Sequence, residues 1–124
     1  EAKPAYTIDY HLSDTSDLVK KIFSTIKGEF PAIIFNPQGY YIGLNKPAFG
    51  VLVPRKKLIR LVVFLPISEV RKVIKSYSFK DPSPGEQKFW NAKCTHVRID
   101  NDEALDEVIA VLKLAQKSTV IKTR

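Results

Sequence analysis

The chain is poor in the residues that build reactive centres. Of its 124 residues one is cysteine, two are histidine, five are glycine and none is methionine. A single thiol, Cys94, excludes a disulfide scaffold. Cys94 and His96 form a C-x-H pair, but His11 is the only other residue of either type, short of the three or four ligands of a zinc site. The glycines (Gly28, Gly39, Gly43, Gly50 and Gly85) form neither G-x-G-x-x-G nor a Walker A loop. No uncharged apolar run approaches the ~20 residues of a membrane-spanning helix. No apolar h-region follows Glu1-Ala2-Lys3-Pro4, so no secretory leader is expected at this end, and the start without methionine suggests a piece of a longer protein. What is there is ordinary for a globular domain: 44% hydrophobic and 27% charged residues, enough apolar side chains to exclude a disordered polar chain. The expectation is one soluble, cytoplasmic domain over residues 1–124, frayed at 1–5 and 118–124.

Hydrophobic periodicity places the elements. Tyr6, Ile8, Tyr10 and Leu12 alternate, which predicts a short strand or extended arm. Asp14, Thr15 and Ser16 are helix N-caps, and Leu18, Val19, Ile22, Phe23 and Ile26 follow at helical spacing, with Gly28 expected just past the end. Four strands are expected at 32–36, 40–44, 48–53 and 58–65, joined by short turns as an antiparallel meander, with Asn45-Lys46-Pro47 as one of the turns. Residues 67–77 predict a short helix, 80–86 a proline-rich loop, and Cys94–Ile99 a fifth strand. Asp100-Asn101-Asp102 caps a last helix striped by Leu105, Val108, Ile109, Val111 and Leu112. The fold class expected is α+β: a two-layer sandwich, a mainly antiparallel five-stranded sheet with the two longer helices on one face and one short helix. If Ile59, Leu61, Val63 and Leu65 face those helices, Leu58, Arg60, Val62 and Phe64 face outward. That face is either a contact surface or is covered by the 67–77 segment or the N-terminal arm.

Catalytic constellations are thin. Cys94 and His96 as nucleophile and base lack an orienting third group. The acids Asp100, Asp102, Glu103, Asp106 and Glu107 read as helix N-terminal charge rather than a metal patch. Glu69-Val70-Arg71-Lys72 has no upstream strand aspartate to make a nuclease site. No catalytic residue, cofactor or metal is expected, and the domain alone is not read as an enzyme.

Charge is the strongest remaining signal. Lysine and arginine number 20 against 13 acids, a formal charge of +7. Residues 46–98 carry twelve cations and three anions, so the whole excess lies in the middle of the chain. Such a field attracts polyanions. Aromatics are interleaved with it, and Trp90, between Lys88 and Lys93, is the best candidate for a surface ring. The residues expected to contact nucleic acid are Lys56, Lys57, Arg60, Lys72, Lys75, Lys88, Lys93 and Arg98 through phosphates, with Trp90 stacking on bases. If about five phosphates are neutralised, log K on duplex DNA falls against log[salt] with a slope of about −4.

The order of motifs resembles a known family. The pieces are Tyr6-Thr7-Ile8-Asp9-Tyr10-His11-Leu12, Tyr41-Ile42-Gly43-Leu44, Lys57-Leu58-Ile59-Arg60-Leu61 before Pro66, Phe89-Trp90, Val97-Arg98-Ile99 and Leu105-Asp106-Glu107-Val108-Ile109. Over roughly residues 6–117 the chain resembles the small α/β domain family of unknown function labelled "predicted transport protein", whose members occur alone or appended to restriction-type and other defence-associated nucleases. Where that family carries a Gly-His-Trp-Gly-type element, this chain has Lys88-Phe89-Trp90-Asn91-Ala92-Lys93, keeping only the tryptophan. The resemblance implies an accessory domain fused to or working beside a DNA-acting enzyme. The leading expectation is therefore a non-catalytic module that binds nucleic acid through a basic surface, without a membrane. The alternatives are a protein-interaction or dimerisation module that uses Val62 and Phe64 to meet a homodimer partner or other domains of a longer chain, and a small-ligand pocket around Cys94, His96 and Trp90.

Overall fold

The computed structural model describes residues 7–45, 48–90 and 93–122, with side chains to Ser118. The expected fraying at 1–5 and beyond Lys122, the turn at Lys46-Pro47, and Asn91-Ala92 lie outside the described residues. The elements run α1 (Ile8–Leu12), α2 (Asp17–Glu29), β1 (Phe35–Pro37), β2 (Ile42–Leu44), β3 (Gly50–Pro54), β4 (Ile59–Val63), α3 (Ile67–Val73), β5 (Ser78–Lys80), α4 (Pro84–Trp90), β6 (Thr95–Ile99) and α5 (Leu105–Lys122). The class is α+β, with one open antiparallel sheet in the order β1-β2-β3-β4-β6-β5. The sheet has six strands, one more than expected, because Ser78-Phe79-Lys80 pairs with β6 at the edge.

Local chemistry explains the elements that differ from the sequence reading. Residues 8–12 are a helical turn and not an extended arm: the Thr7 hydroxyl accepts from the Tyr10 N–H at 3.0 Å, and Ile8 and Leu12, four apart, pack on the core. In α2 the Ser16 hydroxyl caps Val19 N–H at 3.3 Å, and Val19, Ile22, Phe23 and Ile26 are buried. Gly28 lies inside α2, which runs on to Glu29 and stops where Phe30 meets Pro31. Helix α5 runs through 118–122.

Side chains alternate across each strand, so the sheet has two distinct faces. Ile42, Leu44, Leu52, Ile59, Leu61, Val63, Val97 and Ile99 share one buried cluster with side chains of α2, α3 and α5. Gly50 permits the closest approach there: a Cβ would lie 3.0 Å from the carbonyl oxygen of Val62 on the neighbouring strand. Two polar devices fasten the helices to the sheet edge. The Glu107 carboxylate of α5 accepts from the Lys75 and Ser76 N–H groups and the Ser76 hydroxyl, each at 2.9 Å. The Tyr77 hydroxyl donates to the Asn101 carbonyl at 3.0 Å and accepts from Ala104 N–H at 3.2 Å.

On the other face, Val51, Val62 and Cys94 form a second, smaller buried cluster with Tyr41, Phe64 and Trp90 packed on it. Val62 and Phe64 are thus covered, by Trp90 of α4. Among the described residues, neither the 67–77 segment nor residues 7–12 belong to that cluster.

Candidate functional site

The open face of the sheet is built by three strands in register. Arg60 on β4 stands directly opposite Arg98 on β6, Val62 opposite His96, and on the far side of β6 Ser78 and Lys80 of β5 stand opposite Arg98 and His96. Because Ile59, Leu61, Val97 and Ile99 must face the helices, Arg60, His96 and Arg98 must face away from them. Together with Arg55 from the β3–β4 turn, these side chains line a hollow of about 480 Å³, and none of the residues lining it is acidic. Like charges placed directly across a sheet repel. Among the described residues of this hollow only Arg98 has a counter-charge at ion-pair distance: its Nε lies 3.4 Å from Asp100 Oδ2. Among the described residues Arg55, Arg60 and Lys80 have no ion pair.

His96 lines this hollow, 6% exposed, and among the described residues its Nε2 has no hydrogen-bond partner. Leaving such a group unpaired costs on the order of 1–3 kcal/mol. Burial lowers its pKa from the ordinary 6.5; nearby Glu86 opposes that shift, and Arg60 and Lys80 add to it. The ring is neutral at pH 7 and offers Nε2 as one donor or one acceptor.

A second hollow, of about 640 Å³, shares Arg60 and His96 with the first and is otherwise walled mainly by Tyr40, Val62, Phe89 and Trp90, with Glu86 at its edge. Both volumes fall in the range of small-molecule sites, about 300–1,000 Å³. Its wall is α4, a helix that the proline-rich sequence reading missed. A capping box makes it: Glu86 N–H donates to the Ser83 hydroxyl at 3.3 Å, Ser83 N–H donates to Glu86 Oε1 at 3.2 Å, and Pro84 holds the first helical position. The Ser83 N–H bond, together with the Ser83 hydroxyl donating to Oε1 at 3.3 Å, holds the Glu86 carboxyl below its usual range against a smaller opposing effect of burial; His96 and Arg60 lower it further.

Trp90 is not the surface ring. It is half-buried, with its ring centroid 5.0 Å from Tyr41, 4.8 Å from Phe89 and 6.1 Å from Phe64. The exposed rings beside this face are Phe89 at 63% and Tyr40 at 50%, 6.5 Å apart and nearly perpendicular.

The nine residues singled out from sequence scatter. Arg60 and Arg98 come together on the open face, and Lys88 and Trp90 lie on α4 beside it. Lys93 is exposed just before β6. Lys56 and Lys57 occupy the β3–β4 turn, where Lys56 Nζ lies 3.8 Å from Asp14. Lys72 belongs to α3 on the helix side and Lys75 follows it in the α3–β5 connection; Lys72 pairs with Glu69 at 3.4 Å, and Lys75 Nζ donates to the Arg71 carbonyl at 2.9 Å. The surplus of cations therefore does not gather on one surface. Arg55, Lys80, Tyr40 and Phe89 are not among the sequence-predicted contacts, and His96 enters there only as a candidate ligand, base or pocket residue. The signal for Lys80 was its i, i+2 relation to Ser78, invisible once 80–86 was read as loop.

Other chemistry is weaker. The Cys94 thiol is pushed up to about 11, by burial first and then by Glu86 and Asp81, so it is protonated at neutral pH and a poor nucleophile. Among the described residues no group of three or more His, Cys, Asp or Glu is placed to hold a metal ion. Among them too, no helix is long and apolar enough to cross a membrane. Comparison of the chain with family models, with curated proteins and with solved structures finds no match.

Proposed function

We propose that this domain is a non-catalytic nucleic-acid-binding module, an accessory to a DNA-acting enzyme, and that it binds through the open face of its sheet. The observation that carries this reading is the hollow lined by Arg55, Arg60, Lys80 and Arg98, which gathers four cations with no acid among its lining residues and includes His96, whose Nε2 has no hydrogen-bond partner among the described residues. A fold gains nothing from opposing Arg60 to Arg98; an anion bound between them turns the repulsion into attraction. Guanidinium forks match phosphate oxygens, and Lys80 adds a point charge. Lys88 on the exposed side of α4 extends the same field. Lys72 and Lys75, on the helix side, are left out.

Salt dependence tests this. With about four phosphates neutralised, log K falls against log[salt] with a slope of about −3 on single strands. Fluorescence anisotropy of a labelled oligonucleotide between low and moderate salt reads the slope. Charge reversal at Arg60 and Arg98 together abolishes binding, whereas reversal at Lys72 and Lys75 leaves it nearly intact. No binding at the lowest salt, or equal losses in the two double variants, refutes the reading.

A further inference from the structure

The two hollows on the open face meet along Arg60 and His96 and differ in chemistry on either side of that boundary. One side is cationic, with Arg55, Lys80 and Arg98. The other is apolar and aromatic, with Tyr40, Phe89 and Trp90 on one wall and Val62 at the base. We propose that together they form one bipartite site for an unpaired nucleotide of a single strand, its phosphate between Arg60, Lys80 and Arg98 and its base against Tyr40 and Phe89. This deepens the nucleic-acid reading above and rests on it.

Three features fix the polarity and the class of ligand. Glu86, the carboxylate lining the aromatic side, repels a phosphate from that half, and the cationic side, whose lining holds no acid and where Asp100 pairs only with Arg98 Nε, admits one there. His96, more than nine-tenths buried and with Nε2 unpartnered, lines both halves, where the linkage between phosphate and base passes. A neutral imidazole N–H or lone pair at that point is satisfied by a phosphate or sugar oxygen or a ribose hydroxyl. The exposed rings of Tyr40 and Phe89 stand nearly perpendicular, so one presents its face and the other its edge to a planar base. A duplex keeps its base faces stacked inside and offers nothing for the aromatic half to hold, whereas an unpaired strand exposes them. Each half is as large as a small-molecule pocket, enough for one nucleotide and not for a helix.

The test compares a labelled single-stranded oligonucleotide of about ten residues with a hairpin duplex of the same composition, at one low salt concentration, for the unaltered chain and for Tyr40→Ala and Phe89→Ala. Both rings are exposed, so both variants keep the fold, and thermal melting checks this. The expected result is at least tenfold tighter binding of the single strand, and a loss of about five- to a hundredfold in each aromatic variant for the single strand alone, the range of one stacked base. The salt slope stays unchanged. Competition with nucleoside 5′-monophosphates separates the sources of the ligand. Displacement only at millimolar concentrations assigns the site to a strand; displacement at micromolar concentrations overturns the strand and assigns a free nucleotide. Equal affinity for strand and duplex, with neutral aromatic variants, overturns the bipartite site while leaving the electrostatic reading intact. No binding of either nucleic acid removes both.

Discussion

Replacing Arg60 by threonine should make the free domain more stable and its binding weaker. Arg60 and Arg98 are cross-strand neighbours, and among the described residues Arg60 has no counter-charge at ion-pair distance. Two like charges about 6 Å apart, in a surface environment of effective dielectric about 40–80, repel by about 0.7–1.4 kcal/mol. Asp100, 3.4 Å from Arg98 Nε, the 62% exposure of the Arg98 side chain and the attraction of Arg60 to the Glu86 carboxylate all reduce this. About 0.5–1 kcal/mol remains, in line with like-charged pairs across a strand. Threonine suits a strand and removes the repulsion without adding an apolar patch. For a domain of 124 residues the gain is a rise in Tm of about 2–4 °C. Calorimetry at low salt measures it. At about 1 M salt, where the screening length is about 3 Å, the difference should vanish, which separates a charge effect from a packing effect. In the same variant the salt slope for single strands should lose about 0.7. A variant that melts lower at every salt concentration, with binding unchanged, would refute the claim that Arg60 is kept for a ligand.

Other consequences are independent of binding. Trp90→Ala should cost about 2 kcal/mol in urea unfolding, less than the roughly 3–5 kcal/mol of a fully buried tryptophan, because the ring is half-exposed over Val62 and Phe64. Glu107→Ala removes three hydrogen bonds from the α3–β5 connection and should lower the urea midpoint by the equivalent of about 1–2 kcal/mol, with the slope unchanged. Cys94 should react with a thiol reagent at pH 7 only as fast as the domain opens, since its thiol is buried and pushed up to about 11; prompt labelling of the folded protein would contradict that placement. His96 titrates lower folded than its ordinary 6.5, so the unfolded chain binds the extra proton first. Its contribution to stability is complete above that value and is lost as pH falls through the lowered folded value, at no more than about 1.4 kcal/mol per pH unit. Glu86, Arg60 and Lys80 face the ring, and of these Glu86 alone keeps its proton affinity up. His96→Gln should flatten the pH dependence of Tm between pH 7 and 5.

Strong periodicity made part of this fold legible. The stripe of Val19, Ile22, Phe23 and Ile26, and the alternation of Ile59, Leu61 and Val63 with Arg60 and Val62, each assigned an element and the face it buries. The outward direction of Arg60 and Arg98 followed from the same alternation. Short elements stayed hidden. β5 has three residues, of which only Phe79 packs inward, too few for a period. α4 buries no residue fully and opens with Pro84-Gly85, which read as loop; its Ser83–Glu86 capping box was the overlooked cue. Missing these two elements concealed the site, since Lys80 comes from one, and Phe89 and the cover over Val62 come from the other. Net charge along the chain could not show that Lys72 and Lys75 fold to the opposite side, because that depends on how α3 packs and not on local sequence.

The most direct measurement is amide chemical-shift mapping by nuclear magnetic resonance as a short single-stranded oligonucleotide is titrated in. The account predicts that the largest changes fall at residues 55–60, 78–80, 84–90 and 96–98, with α3 and α5 silent. Changes centred on Lys72 and Lys75, or spread evenly over both faces of the sheet, would contradict it.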